Sequence, residues 1–190
     1  IAYHAGLSME TREANQRRFT RDDGVIVVAT VAFGMGIDKP DVRFVAHLDM
    51  PQSVEHFYQE SGRAGRDGLP AASWLCYGLN DWVILRERIQ QGASEEMQKN
   101  IELQKLDAML GVCETADCRR VMLLQHFGET SAPCGHCDNC LHPPVRFDGT
   151  VLVQKLLSCV YRVGQRFAAG YVINVLRGKG DDWIARNGHD

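Results

Sequence analysis

Four cysteines within one short stretch constrain the fold of this chain more than any other feature of its sequence. Cys118, Cys134, Cys137 and Cys140 follow the spacing C-x15-C-x2-C-x2-C. Four thiolates can close a tetrahedral zinc site that has no open position, which is the arrangement of structural zinc sites. Because the loop that carries three of these cysteines could not fold alone, a metal would tie it to the preceding helix and contribute folding energy directly.

Other interpretations of this metal site stay open from the sequence. The spacing C-x2-C-x2-C also resembles that of ferredoxin iron–sulfur clusters, although the remote Cys118 favours zinc. Cys113 lies five residues before Cys118 and could stand in for it. His136 and His142 are further possible ligands, but four cysteines already fill a tetrahedral shell.

The first 80 residues alternate between helical and strand patterns. Ser8 can cap a helix that continues to about residue 21, and a second helix is predicted over residues 53–66. Three apolar runs are predicted strands, the first two of them buried on both faces: 25–29, 44–48 and 72–77. This order of elements predicts an α/β fold with a partial parallel-sheet lobe.

Helical patterns replace the strand patterns after residue 77. They predict helices capped by Asn80, Ser94 and Asp117, and the last of these ends at Gly128. Paired prolines at 143–144 are typical of a linker, and a further helical region begins near residue 150.

A glycine-containing loop follows the first predicted strand, with the sequence Val28-Ala-Thr-Val-Ala-Phe-Gly-Met-Gly-Ile-Asp-Lys-Pro-Asp-Val-Arg43. It leaves the carboxyl end of a parallel strand, where open α/β sheets bind ligands. Gly36 allows close approach of the backbone to a phosphate, and Thr30 and Asp38 offer a hydroxyl and a carboxylate. The alternative is an ordinary glycine turn.

A second segment, Gln59-Glu-Ser-Gly-Arg-Ala-Gly-Arg-Asp-Gly68, places two arginines near its end. In a continuous helix, Gln59, Arg63 and Arg66 would lie on one stripe. Guanidinium groups suit phosphate because they are planar, bidentate and always charged. The alternative is a solvated basic stripe near acidic residues.

Together the two segments resemble motifs V and VI of superfamily 2 helicases, and their amino-acid sequences are close to those of the RecQ family. The cysteine pattern is similar to the zinc module of the same family. This resemblance implies a second RecA-like lobe that faces ATP bound by a first lobe. It implies that Arg66 is the arginine finger on the γ-phosphate, that Arg63 assists it, and that Gln59 couples nucleotide state to the motor.

The resemblance also assigns the remaining candidate residues. Gly36 and Asp38 would lie near the nucleotide, and Thr30 would contact the DNA backbone. The last part of the chain is similar to the start of a winged-helix DNA-binding domain, in which Arg162 and Arg166 are candidate DNA contacts.

This resemblance also divides the chain into three predicted domains. They are a partial second lobe over residues 1–79, a helical zinc-binding module over 80–147 and the start of a winged helix over 148–190.

The phosphate-binding motif G-x-x-x-x-G-K-[ST] does not occur in the sequence, and neither does an acidic DExH motif. We therefore expect ATP and Mg²⁺ to be held mainly by a lobe outside this chain, whose two ends we interpret as cuts through a longer protein. These 190 residues alone should then show no DNA-stimulated ATPase activity.

The resemblance further implies the function of a 3′ to 5′ DNA helicase in repair and recombination, with single-stranded and duplex DNA, ATP and the first lobe as partners. The net charge of −3 gives no global basic field, so DNA contacts must be local. Because the sequence shows no export signal and no apolar run of about 20 residues, we expect no membrane partner and a bacterial, nucleoid-associated location in the cytoplasm.

Two other classes of protein stay possible at this point. One is a non-enzymatic, zinc-stabilised DNA-binding protein that lacks a first lobe, and the other is an iron–sulfur redox protein.

Overall fold

A computed structural model describes residues 1–30, 33 and 39–189 of the chain. Two compact units are present, Ile1–Pro143 and Pro144–Asp190. The described elements of the first unit are, in order, β1 (Ala2–Tyr3), α1 (Met9–Arg21), β2 (Val28–Ala29), β3 (Phe44–His47), α2 (Val54–Ser61), β4 (Ala72–Leu75), α3 (Leu79–Gln91), α4 (Glu96–Glu114), α5 (Arg119–His126) and α6 (Asp138–Leu141).

The strands of the first unit form two parallel pairs. β1 pairs with β2, with Ala2 opposite Val28, and β3 pairs with β4, with Phe44 opposite Ala72. Parallel strands joined through helices confirm the predicted α/β class.

The predicted burial of the strands was wrong. The run 25–29 gives only a two-residue strand in which Val28 is 66% exposed, and in the run 44–48 the exposure alternates, with Phe44 at 49%. The reason is that each described sheet has two strands and is not covered on both faces. An apolar run alone does not show whether one face or both faces of the strand are covered by other elements.

Two predicted helix starts in the lobe are confirmed by their caps. The side chain of Ser8 accepts a hydrogen bond from the amide of Thr11 at 3.2 Å, and that of Ser53 accepts one from the amide of His56 at 3.2 Å. Each cap satisfies one of the amides that a helix leaves without an internal partner.

Helices α3 and α4 begin at other residues than predicted. α3 is capped at Gly78 instead of Asn80, because the carboxylate of Asp81 accepts a hydrogen bond from the Gly78 amide at 3.0 Å. α4 has its N-cap at Glu95, one residue after the predicted Ser94, and no side chain caps it.

Helix α5 begins one residue later than predicted and ends at His126, with Phe127 as its C-cap and the predicted Gly128 directly after it. Its N-cap is Cys118 in place of Asp117. At its end, Gly128 takes a φ of 80° and the amide of Glu129 donates to the carbonyl of Leu124 at 3.0 Å. This is the Schellman arrangement that a glycine after a helix predicts.

The core of the first unit lies where α2 packs against α4. Its buried side chains are Met50, Val54, Leu106, Met109 and Val112. Partly buried residues from α3, α5 and β4 pack around them. The helix that leads to the two arginines is therefore anchored on the long helix that precedes the cysteine cluster.

The second unit contains three helices, α7 (Thr150–Arg162), α8 (Ala169–Leu176) and α9 (Asp182–Arg186). The carboxylate of Asp148 accepts hydrogen bonds from the amide and the hydroxyl of Thr150 at 2.9 and 2.6 Å, so α7 begins at the predicted residue. Its core contains Cys159, Val163, Tyr171, Val172 and Ile184. In the part of the chain that the structure describes, no helix is both long and apolar enough to cross a membrane.

Candidate metal centre and arginine segment

The structure brings the four predicted cysteines together. Their sulfur atoms all lie within 4.8 Å of one another, among the residues described. Cys118 caps α5, Cys137 caps α6, Cys140 lies within α6, and Cys134 comes from the loop between the two helices. Two helix starts and one loop thus converge on one point.

Backbone amides favour ionised sulfur at this cluster. The amide of Cys134 donates to Sγ of Cys118 at 3.2 Å, and the amide of Cys137 donates to Sγ of Cys134 at 3.3 Å. Burial opposes ionisation of Cys118, but the amides of Cys134 and Val121, together with hydrogen bonds from the thiols of Cys134 and Cys140, lower its pKa to about 6. A thiolate is the form that binds metal.

The four thiols do not all ionise in the absence of a cation. The amide of Gly135 favours ionisation of Cys140, but hydrogen bonds with Cys137 and the other sulfurs, together with burial, raise the pKa of Cys140 to about 11. Clustered sulfurs share protons in this way because like charges repel. A divalent metal removes the conflict, since it holds coordinated thiols in the deprotonated form.

The spacing of the sulfurs fits zinc. A tetrahedral site with Zn–S bonds of about 2.3 Å separates its sulfurs by roughly 3.8 Å. Sγ of Cys137 and Sγ of Cys118 are 3.9 Å apart. The possible stand-in Cys113 is outside this group of four, and burial raises its pKa to about 11, so it stays a neutral thiol. His136 and His142 are not in the group either, among the residues described.

A polar shell that the sequence analysis did not predict fixes the cysteine loop. Arg119 binds both carboxylate oxygens of Asp138, and its Nη1 donates to the carbonyl of Val112 at 2.7 Å. Asn139 donates to the carbonyl of Thr115 at 2.7 Å. The sequence does carry a signal for this pair, because a cationic residue directly follows Cys118 and an anionic residue directly follows Cys137. Oppositely charged residues next to metal-binding positions often pair with each other and orient the site.

The arginine segment differs from the predicted helical stripe. α2 ends at Ser61, and only Gln59 of the three candidates lies within it, on an exposed position. Arg63 and Arg66 lie in the turns that follow, Arg63 half-buried and Arg66 exposed. Gly62 caps the helix and Gly65 takes a φ of 70°, which a continuing helix does not allow.

Arg66 keeps a contact with the helix that precedes it. Its Nε donates to the carbonyl of Gly62 at 3.3 Å, so the guanidinium lies close to the end of α2. Thr30 is exposed just after β2, where its amide donates to the carbonyl of Tyr3 at 3.2 Å. Gly36 and Asp38 lie outside the described residues.

The two basic candidates of the second unit are exposed. Arg162 ends α7, and the guanidinium of Arg166 lies 5.2 Å from the centre of the Phe167 ring. The Phe167 ring in turn stacks on Tyr171, with centroids 4.0 Å apart.

These features define a class of protein: a helicase C-terminal domain joined to a zinc-binding module. Three family models match successive parts of the chain. They are the helicase conserved C-terminal domain at residues 1–68, the RecQ zinc-binding model at 79–141 and the RQC domain at 143–190.

Whole-chain similarity to known proteins agrees with these models. The ATP-dependent DNA helicase RecQ of Pasteurella multocida (strain Pm70) is 50% identical over 190 residues, which are 100% of this chain and 30% of that protein. The protein of the same name from Bacillus subtilis (strain 168) is 42% identical, with 98% and 32% covered. The RecQ-like DNA helicase blm-1 of Caenorhabditis elegans is 36% identical, with 98% and 20% covered.

The chain belongs to the RecQ family, as its motifs predicted. It spans about a third of the length of the bacterial relatives it matches. Structural zinc is likewise confirmed, since the RecQ zinc-binding model covers the four-cysteine cluster, and the iron–sulfur alternative has no support. Zinc supplies a closed, redox-inactive cross-link there.

Proposed function

We propose that this chain supplies the second motor lobe, the zinc module and part of the DNA-binding domain of an ATP-dependent DNA helicase. The enzyme would move 3′ to 5′ on DNA in repair and recombination, associated with the nucleoid in the cytoplasm of a bacterium. The domains are those predicted from the sequence: 1–79, 80–147 and 148–190. The whole-chain identity to proteins named ATP-dependent DNA helicase RecQ supports this proposal.

The observation that carries the proposal is the position of Arg66. It lies at an exposed position in a turn that directly follows a helix anchored on the core, and its Nε donates to the carbonyl of Gly62 at the end of that helix. In this proposal Arg66 stabilises charge on the γ-phosphate, Arg63 assists, and Gln59 at the end of α2 links nucleotide state to the lobe. Gly36 and Asp38 would lie near the same nucleotide.

DNA contacts are assigned to the exposed polar residues Thr30, Arg162 and Arg166. They would bind phosphates of single-stranded and duplex DNA, and such contacts position the protein without reading sequence. Cys118, Cys134, Cys137 and Cys140 would hold the structural zinc. ATP and Mg²⁺ would be held mainly by the first lobe of the same polypeptide.

Substitution of Arg66 in the full-length enzyme tests the proposal. Removal of an arginine finger lowers turnover on the order of 10³- to 10⁵-fold in well-studied phosphoryl-transfer systems. We expect Arg66→Ala to abolish DNA-stimulated ATP hydrolysis while binding of a fluorescent ATP analogue persists. Arg17→Ala is the matched control, since Arg17 is an exposed arginine of α1 with 59% of its side chain accessible. Unchanged turnover of Arg66→Ala would refute the proposal.

A further inference from the structure

Arg43, the residue before β3, holds the residue that follows Arg66. Its Nη2 lies 2.6 Å from both carboxylate oxygens of Asp67. Its Nη1 donates to the carbonyl of Pro70 at 3.1 Å, and its Nε donates to the carbonyl of Asp41 at 2.9 Å. Two nitrogens of one guanidinium, Nη1 and Nη2, therefore bind the segment that follows Arg66, and the third bonds locally to Asp41.

Backbone hydrogen bonds reinforce this connection on both sides of Arg66. The amide of Gly65 donates to the carbonyl of Val42 at 2.9 Å, and the amide of Asp67 donates to the carbonyl of Pro40 at 3.1 Å. Both chain neighbours of Arg66 are thus bonded to residues 40–42, directly before Arg43. The two segments that resemble motifs V and VI meet here.

Little space is left for this turn to rearrange. A Cβ atom on Gly65 would lie 3.0 Å from the carbonyl oxygen of Leu69 and 3.1 Å from Cβ of Ala71. The carboxylate of Asp67 also accepts a hydrogen bond from the amide of Leu69 at 3.1 Å. Without Arg43, the Asp67 carboxylate would lose its ion pair with the residue that directly precedes β3.

The Arg43–Asp67 pair is better suited to fixing the orientation of the turn around Arg66 than to stabilising the whole fold. The side chain of Arg43 is 41% exposed and that of Asp67 is 23% exposed, and solvent weakens ion pairs of this kind. The orientation is nevertheless specific, because the planar guanidinium binds the Asp67 carboxylate through Nη2 and the Pro70 carbonyl through Nη1 at the same time. The hydrogen bond from Arg43 is also the largest cause that lowers the pKa of Asp67 below its ordinary value.

We propose that Arg43 and Asp67 are positioning residues that hold the turn around Arg66 so that its guanidinium reaches the transferred phosphate. This inference rests on the role proposed for Arg66. Arg66 is held from one side by α2, through Gly62, and from the other by the Arg43–Asp67 pair. A displacement of roughly 1 Å at a catalytic group can cost about 100-fold in rate.

The test uses three variants of the full-length enzyme, Arg43→Lys, Arg43→Ala and Asp67→Asn, with steady-state ATPase kinetics on single-stranded DNA. We expect kcat to fall about 10- to 100-fold while the KM for ATP changes little, since the residues act on placement in the transition state. The double variant Arg43→Ala, Asp67→Asn should be no worse than Arg43→Ala alone, because Arg43→Ala already removes the contact that Asp67→Asn weakens. Glu13→Gln is the control, since Glu13 forms an exposed pair with Arg17 on α1.

The outcomes separate this inference from the proposed function. If Arg66→Ala abolishes turnover and all three variants keep the wild-type kcat, the positioning role is wrong and the finger role stands. Additive losses in the double variant would also overturn it. If Arg66→Ala itself keeps full turnover, the proposed function fails. Arg43→Lys keeps the positive charge and a long side chain but loses the planar guanidinium. Its kcat therefore tests the positioning role even if Arg43→Ala fails to fold.

Discussion

The carboxylate of Glu55 in α2 lies 3.4 Å from Nε2 of His126 in α5, and Nζ of Lys105 in α4 lies 3.7 Å from the same oxygen. Beside them the rings of Tyr58 and Phe127 pack with centroids 4.9 Å apart. The helix that leads to Arg63 and Arg66 is therefore joined to the helix whose N-cap, Cys118, is one of the four clustered cysteines.

Glu55 should stay ionised at a pH where an ordinary glutamate takes up a proton. Its own backbone amide, at the start of α2, is the largest cause that lowers its pKa from 4.5 to about 2; burial opposes this, and Ser53, His126 and Lys105 assist. A pKa lowered by folding means that the carboxylate stabilises the fold above pH 4.5 and that this contribution is lost as pH falls from 4.5 through about 2.

We expect Glu55→Gln to be less stable than wild type above pH 4.5, and the difference to shrink as pH falls from 4.5 towards about 2. Urea unfolding across this range measures it. Glu96→Gln is the control, because Glu96 is also in the first turn of a helix but 86% exposed. A difference in the free energy of unfolding that is independent of pH would contradict the role of the charge.

Loss of one metal ligand should unfold the cysteine loop. We expect Cys134→Ser to lower the bound zinc well below one ion per chain and to remove amide protection from the segment that contains α6, because structural zinc supplies folding free energy on the order of 10 kcal/mol. Metal analysis and hydrogen exchange measure the two effects. Cys76→Ser is the control, since Cys76 is exposed and outside the cluster. Retention of a full zinc ion by Cys134→Ser would show that Cys134 is not a ligand.

Helix ends were predictable to the extent that local chemistry decides them. Ser8, Ser53 and Gly128 act within a few residues of their own position, and all three do what their residue types predict. Gly62 and Gly65 likewise indicated the end of a helix. The helical spacing of Gln59, Arg63 and Arg66 nevertheless favoured a continuous helix. The helix ends at Ser61 with Gly62 as its cap, and the positive φ of Gly65 is not compatible with a helix that continues to Arg66.

The burial of the strands was not predictable, because it depends on how many elements cover each face. The cysteine cluster shows the opposite case, since three of its four members are close in sequence and their spacing alone restricts the geometry. The pairing of Arg43 with Asp67 joins residues 24 positions apart. It depends on the parallel crossover that brings the start of β3 next to the turn after α2, which no local pattern reports.

Leu106 should carry a large share of the stability of the first unit. It is fully buried in α4 and packs in the same cluster as Val54 at the start of α2. Leu106→Ala removes buried methyl groups and leaves a cavity that the surrounding helices fill only in part, so we expect a loss of about 2–5 kcal/mol in the free energy of unfolding. Ile101→Ala is the control in the same helix: Ile101 is 43% exposed, and its replacement should cost less than about 1 kcal/mol. Urea unfolding of the zinc-loaded chain compares the two variants, and equal losses would mean that α4 is not the helix on which α2 is anchored.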